Sequence, residues 1–69
     1  MDLKSIGEQI TKRRAQLKLR QEDLAEMSGV TVRSIYNLEQ GNGNPSFETW
    51  NKICNVLGME IIVQIRKTD

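Results

Sequence analysis

Apolar residues recur at helical spacing along most of the chain and at a spacing of two near its end. Leu3, Ile6, Ile10 and Leu17 share one stripe of period 3.6 and predict a first helix. Asp2 or Ser5 suits its N-cap, and Ser5 with Glu8 fits a capping box. Position 14 falls on the same apolar stripe but holds Arg14. A charge on a core face needs a partner, because an unpaired buried charge is costly. A second helix is predicted from Gln21 to about Ser28, with Leu24, Ala25 and Met27 apolar and with Glu22 and Asp23 suiting its N-terminal dipole. Gly29 is its stop, since glycine takes a positive φ at little cost. Thr31 caps a third helix reaching about Gln40. Ile35 and Leu38 point inward, Val32 is marginal, and Arg33, Ser34, Tyr36, Asn37 and Gln40 point outward. Gly41 to Pro45 is a loop. Ser46 then caps a fourth helix with Phe47, Trp50, Ile53, Cys54 and Leu57 on one face, ended by Gly58.

The period changes after Gly58. Met59, Ile61, Val63 and Ile65 alternate with Glu60, Ile62, Gln64 and Arg66, which is a β-branched strand pattern. No other stretch reads as a strand, and one strand cannot satisfy its own edge hydrogen bonds. The simplest partner is the same strand of a second copy, antiparallel by two-fold symmetry. The expected fold is therefore mainly α, with a helical domain over residues 1–58 and a dimerising strand and tail over 59–69.

Length and composition narrow the classes. A chain of 69 residues allows one domain, and cores of this size often gain stability by oligomerising. One cysteine, Cys54, and no histidine exclude an internal disulfide, a Cys/His zinc site and a His-based catalytic triad. Cys54 reads as a small buried hydrophobe and Trp50 as core. The longest apolar run, Ile61 to Val63, is far short of a membrane span. Met1 to Lys4 lacks the layout of a signal peptide, so the expected location is cytoplasmic. No cofactor loop, metal cluster or activated nucleophile is visible, so neither an enzyme nor a cofactor is expected.

The net charge of +1 says little, but its distribution says more. Lys4, Lys12, Arg13, Arg14, Lys18 and Arg20 face only Asp2 and Glu8 in residues 1–20. Residues 21–60 hold Arg33 and Lys52 against Glu22, Asp23, Glu26, Glu39, Glu48 and Glu60. Such a basic first segment is either a solvated helical face or an electrostatic footprint for a polyanion.

Gln21 to Gly41 separates these readings. Two short helices joined by a turn of about three residues, the second exposing polar side chains near its start, make a helix-turn-helix layout. Such a helix fits the major groove of DNA. Leu19-Arg20-Gln21-Glu22-Asp23-Leu24-Ala25 and Gly29-Val30-Thr31 resemble the LTQ-E-LA…GV-S signature of Cro/lambda-repressor-like proteins, the XRE family. Ser34 to Gly41 is similar to its T-I-S-x-x-E-x-G continuation. Asn44-Pro45-Ser46 and Leu57-Gly58 match its NPS…ALG end. The resemblance spans about residues 4–58 and implies a four- to five-helix DNA-binding domain.

The resemblance also implies roles. Val32, Arg33 and Asn37 fall where the family reads bases; arginine pairs with guanine, asparagine with adenine, and valine meets a thymine methyl or simply packs. Backbone contacts are expected from Arg14, Arg20, Gln21, Ser34, Asn42 and Asn44; Gln21 is also expected to brace the third helix, its alternative role being a plain helix starter. Many relatives carry a basic residue in the Asn42–Asn44 loop, and Arg20 stands where they have Thr or Ser. The family pairs the arginine at position 14 with the glutamate at position 39, an architectural ion pair. The implied partners are double-stranded DNA and a second copy of the chain, and the implied function is a homodimeric repressor on a palindromic operator. Length and the terminal strand also resemble HipB-type antitoxins. That gives a second reading, in which the main task is binding a HipA-like toxin.

Overall fold

Side-chain caps decide where the helices begin. In the computed structural model, which describes residues 2–66, the order is α1 Leu3–Gln16, α2 Gln21–Ser28, α3 Val32–Glu39 and α4 Phe47–Leu57. Asp2 Oδ1 accepts the Ser5 N–H at 2.8 Å, so α1 starts early and Ser5 lies inside it rather than capping it. Thr31 caps α3 by accepting from the Ser34 N–H, and Ser46 caps α4 through the Thr49 N–H, both at 3.1 Å. Gly29 and Gly58 close α2 and α4 in the left-handed region, at φ 78 and 68.

Ile10, Leu24, Ile35, Leu38, Ile53 and Leu57 form one buried cluster, drawing side chains from all four helices. Ile6, Leu19, Ala25, Val30, Trp50, Val56 and Met59 pack around it. Cys54 is buried, and burial pushes its thiol up from the ordinary range. Three apolar positions depart from the periodic reading. Leu17 lies just past α1 as its C-cap and is exposed, because the chain turns there toward α2. Met27 and Phe47 are exposed as well. Among the described residues no helix is long and apolar enough to cross a membrane.

α1 rests directly on the end of α3. A Cβ at Gly7 would lie 2.3 Å from the Leu38 carbonyl oxygen and 2.9 Å from that of Glu39. Helix propensity favours alanine at an exposed helical position by about 1 kcal/mol. Here the obstacle is backbone, which yields poorly. Gly7→Ala should therefore destabilise the domain by about 1–3 kcal/mol in denaturant unfolding. An unchanged or raised midpoint would show that α1 shifts freely on α3.

The alternating tail is the largest departure from expectation. Met59 packs on the core and its N–H donates to the Cys54 carbonyl at 2.9 Å. Residues 60–66 are neither helix nor strand and make no backbone hydrogen bond among the described residues. The strand expected through Met59, Ile61, Val63 and Ile65 is thus not formed within the chain, and no strand occurs among the described residues. The reason is physical: a strand exists only through a ladder to a neighbour, and this chain is otherwise helical.

Candidate nucleic-acid interface

The α2–α3 pair is oriented by a polar network at one end of α1. Arg14 donates from Nε to Glu39 Oε2 at 2.6 Å and from Nη2 to Glu39 Oε1 at 2.9 Å. Its third donor, Nη1, reaches the Leu19 carbonyl at 2.8 Å, and the Gln21 amide donates to Glu39 Oε1 at 3.0 Å. The side chains are 16% and 3% exposed for Arg14 and Glu39. Burial pushes the Glu39 carboxyl up, but hydrogen bonds from Arg14 and Gln21 and the Arg14 charge outweigh it and hold the group below its ordinary value. The bidentate fork supplies both halves of what a buried pair requires: opposite charge and satisfied hydrogen-bonding atoms. α1, the start of α2 and the end of α3 are locked at one point.

The network contains the Arg14–Glu39 pair that the resemblance implies, and it ties Gln21 to the end of α3 as the resemblance also implies. The Arg14 fork is turned into the protein, toward Glu39 and Leu19, rather than toward a phosphate. Gln21 is half-buried and braces Glu39 with its amide. Arg20 differs again. It is the N-cap of α2, but a guanidinium cannot accept the free N–H groups of a helix start. Asp23 reaches back instead and accepts the Arg20 backbone N–H at 2.8 Å. The same carboxylate holds the Arg20 side chain at 3.1 and 3.2 Å. Those bonds lower the Asp23 carboxyl and raise the Arg20 guanidinium from their ordinary values. Arg20 remains well exposed, so a phosphate would compete with Asp23 for it.

Gly29, Val30 and Thr31 make the turn between α2 and α3, and α3 packs on both α1 and α2. Its buried side is Ile35, Leu38 and Glu39. Its opposite side presents Val32, Arg33 and Tyr36 to solvent, with Ser34 and Asn37 half-buried beside them. Val32 is thus exposed rather than packed. Arg33 takes part in no ion pair among the described residues, so its donor fork is open. A polar cleft of about 200 Å³ runs alongside, lined by Ser34, Asn37, Asn42, Asn44 and Thr49. The Asn42 N–H donates to the Asn37 carbonyl at 2.9 Å, which ties the loop to the end of α3. The structure therefore gathers Ser34, Asn37, Asn42 and Asn44 in one place next to the first turn of α4. Arg14 and Gln21 belong to the bracing network behind it.

Sequence reasoning gave no role to three residues that shape this region. Arg13 Nε donates to the Leu57 carbonyl at 2.8 Å and so satisfies the C-terminal end of α4. Arg14 was marked by its place on the apolar stripe, but nothing in the spacing marked Arg13 as the cap of a helix end 44 residues away. Thr49 joins the cleft from α4, a proximity set by the loop and not by sequence spacing. Tyr36 stood among the outward residues of α3 without a function, and it is the large aromatic on the exposed face.

A family of proteins described as helix-turn-helix matches residues 10–63. The chain is also similar to a protein of Methanothermobacter thermautotrophicus named as an uncharacterized HTH-type transcriptional regulator. The two are 43% identical over 56 residues, 81% of each chain.

Proposed function

From its membership of the helix-turn-helix family, to which the chain belongs over residues 10–63, we propose that it is a DNA-binding transcriptional regulator acting as a homodimeric repressor on a palindromic operator. The observation that carries this reading is the outer face of α3. Val32, Arg33 and Tyr36 stand exposed on a helix whose opposite side is fixed by the core and by the Arg14–Glu39–Gln21 network. A helix held so rigidly presents side chains at defined positions, which readout of base edges requires. Arg33 reads guanine with a bidentate fork, Asn37 meets adenine, and Val32 meets a thymine methyl. Ser34, Asn42 and Asn44 line the adjoining cleft and take the phosphate backbone, while Arg20 reaches a phosphate once released from Asp23.

The residue assignments have a direct test. Arg33→Ala should cost roughly 1–3 kcal/mol on the specific site and relax the preference at one position of each half-site. Arg20→Ala should instead weaken all duplexes alike and flatten the salt dependence. Gel shifts on a matched set of duplexes separate the two patterns. Unchanged preference in the Arg33 variant would remove that residue from base readout.

A further inference from the structure

A second surface lies away from α2 and α3. α1, α4 and the chain just beyond α4 enclose an open apolar groove of about 600 Å³, walled by Ile6, Ile10, Phe47, Trp50, Cys54 and Ile61. Beside it, Val63 and Ile65 are 94% and 98% exposed. The tail already walls one side of this groove through Glu60, Ile61, Ile62 and Gln64, and together with the bare Val63 and Ile65 side chains it makes a self-complementary surface, as a two-fold interface requires.

The charges select how two such tails meet. Antiparallel pairing about a two-fold axis fixes one centre, and each centre gives a different set of opposed residues. Centred on Val63, the pairing sets Val63 against itself, Ile61 against Ile65 twice, and Glu60 against Arg66 twice. Centred on Ile62, it sets Glu60 against Gln64. Centred on Gln64, it sets Arg66 against Ile62. A centre between two residues would place apolar positions opposite polar ones and mix the two faces. The Val63 register alone pairs the opposite charges, and it keeps Ile61, Val63 and Ile65 on one face. Glu60 and Arg66 are both exposed and in no ion pair among the described residues, so each is available for this.

We propose that residues 60–66 of two copies form an antiparallel ribbon centred on Val63. Its apolar face covers the α1–α4 groove of each copy, and Glu60 of each chain faces Arg66 of the other. This rests on the homodimer reading and adds its register and its seat.

Reciprocal charge reversal in the full chain tests it, with sedimentation equilibrium as the readout and helical circular dichroism as the check on folding. Glu60→Arg and Arg66→Glu should each weaken the dimer roughly tenfold, because like charges then face each other at two symmetric places. An equimolar mixture of the two variants should recover wild-type affinity as a heterodimer, since every opposed pair is again of opposite sign. Low salt should enlarge both effects. Wild-type dimers whose variants are not rescued by mixing would overturn the register while leaving the homodimer standing. A wild-type monomer would overturn both and leave the groove to a different protein.

Discussion

Glu39→Ala and Arg14→Ala should each destabilise the domain by about 3–5 kcal/mol, because each strands the other charge in a site nearly closed to water. The two carboxylate oxygens of Glu39 receive three donors from two side chains, and all of them point at a residue that is 3% exposed. Losing Glu39 leaves the Arg14 fork and the Gln21 amide without their acceptor. Losing Arg14 also frees the Leu19 carbonyl. Replacing both charges with apolar residues of similar size should cost much less than the sum of the single changes, as a double-mutant cycle on unfolding would measure. Additive changes below about 1 kcal/mol would show an exposed pair that contributes little. The same pair sets the acid response. The Glu39 carboxyl is held below its ordinary value of 4.5 in the folded protein, so the unfolded chain binds more protons in that range. Its contribution is present above that value and is lost as the pH falls through the lower, folded one. Glu39→Gln should therefore show a flatter loss of stability than the wild type as the pH falls below that ordinary value.

Ending the chain after Met59 should give a monomer that keeps its four helices and loses roughly 10²- to 10⁴-fold in affinity for the intact operator. Met59 is retained because it packs on the core and bonds to the end of α4, whereas residues 60–66 make no backbone hydrogen bond among the described residues. The helices should survive, since the buried cluster draws no side chain from beyond Leu57. Affinity should fall because two half-sites held by one dimer act at high effective concentration, and two separate monomers do not. Circular dichroism, sedimentation and gel shifts on the full and single half-sites would follow each part. A truncated chain that binds the full site as tightly as the wild type would show that the tail has no part in DNA binding.

Helices were the legible part of this sequence, because caps and periodicity are local. Thr31, Ser46, Gly29 and Gly58 sit where their side chains or their freedom at positive φ bound the helices. Arg14 was legible as an anomaly: a charge on an apolar stripe. Its partner 25 residues away follows from the family resemblance and not from spacing. The close approach at Gly7 was hidden, because a glycine inside a helix carries no mark of what lies above it. Leu17 and Phe47 lie on apolar stripes by periodicity, which reports which face a residue occupies but not where that face runs out of neighbours. The tail strand, absent from the single chain, was out of reach for a different reason. Alternation states that a segment can be a strand, while forming one depends on a partner outside the chain.

The outer face of α3 is proposed to read a palindromic duplex. Selection from random duplexes by the full-length chain, at about 0.15 M salt so that phosphate attraction does not dominate, tests it most directly. The expected product is a palindrome whose half-site centres are about 34 Å apart or a multiple of that, with one position in each half that Arg33→Ala no longer selects. Recovery of unenriched sequences, all bound equally and differing only in salt dependence, would contradict it.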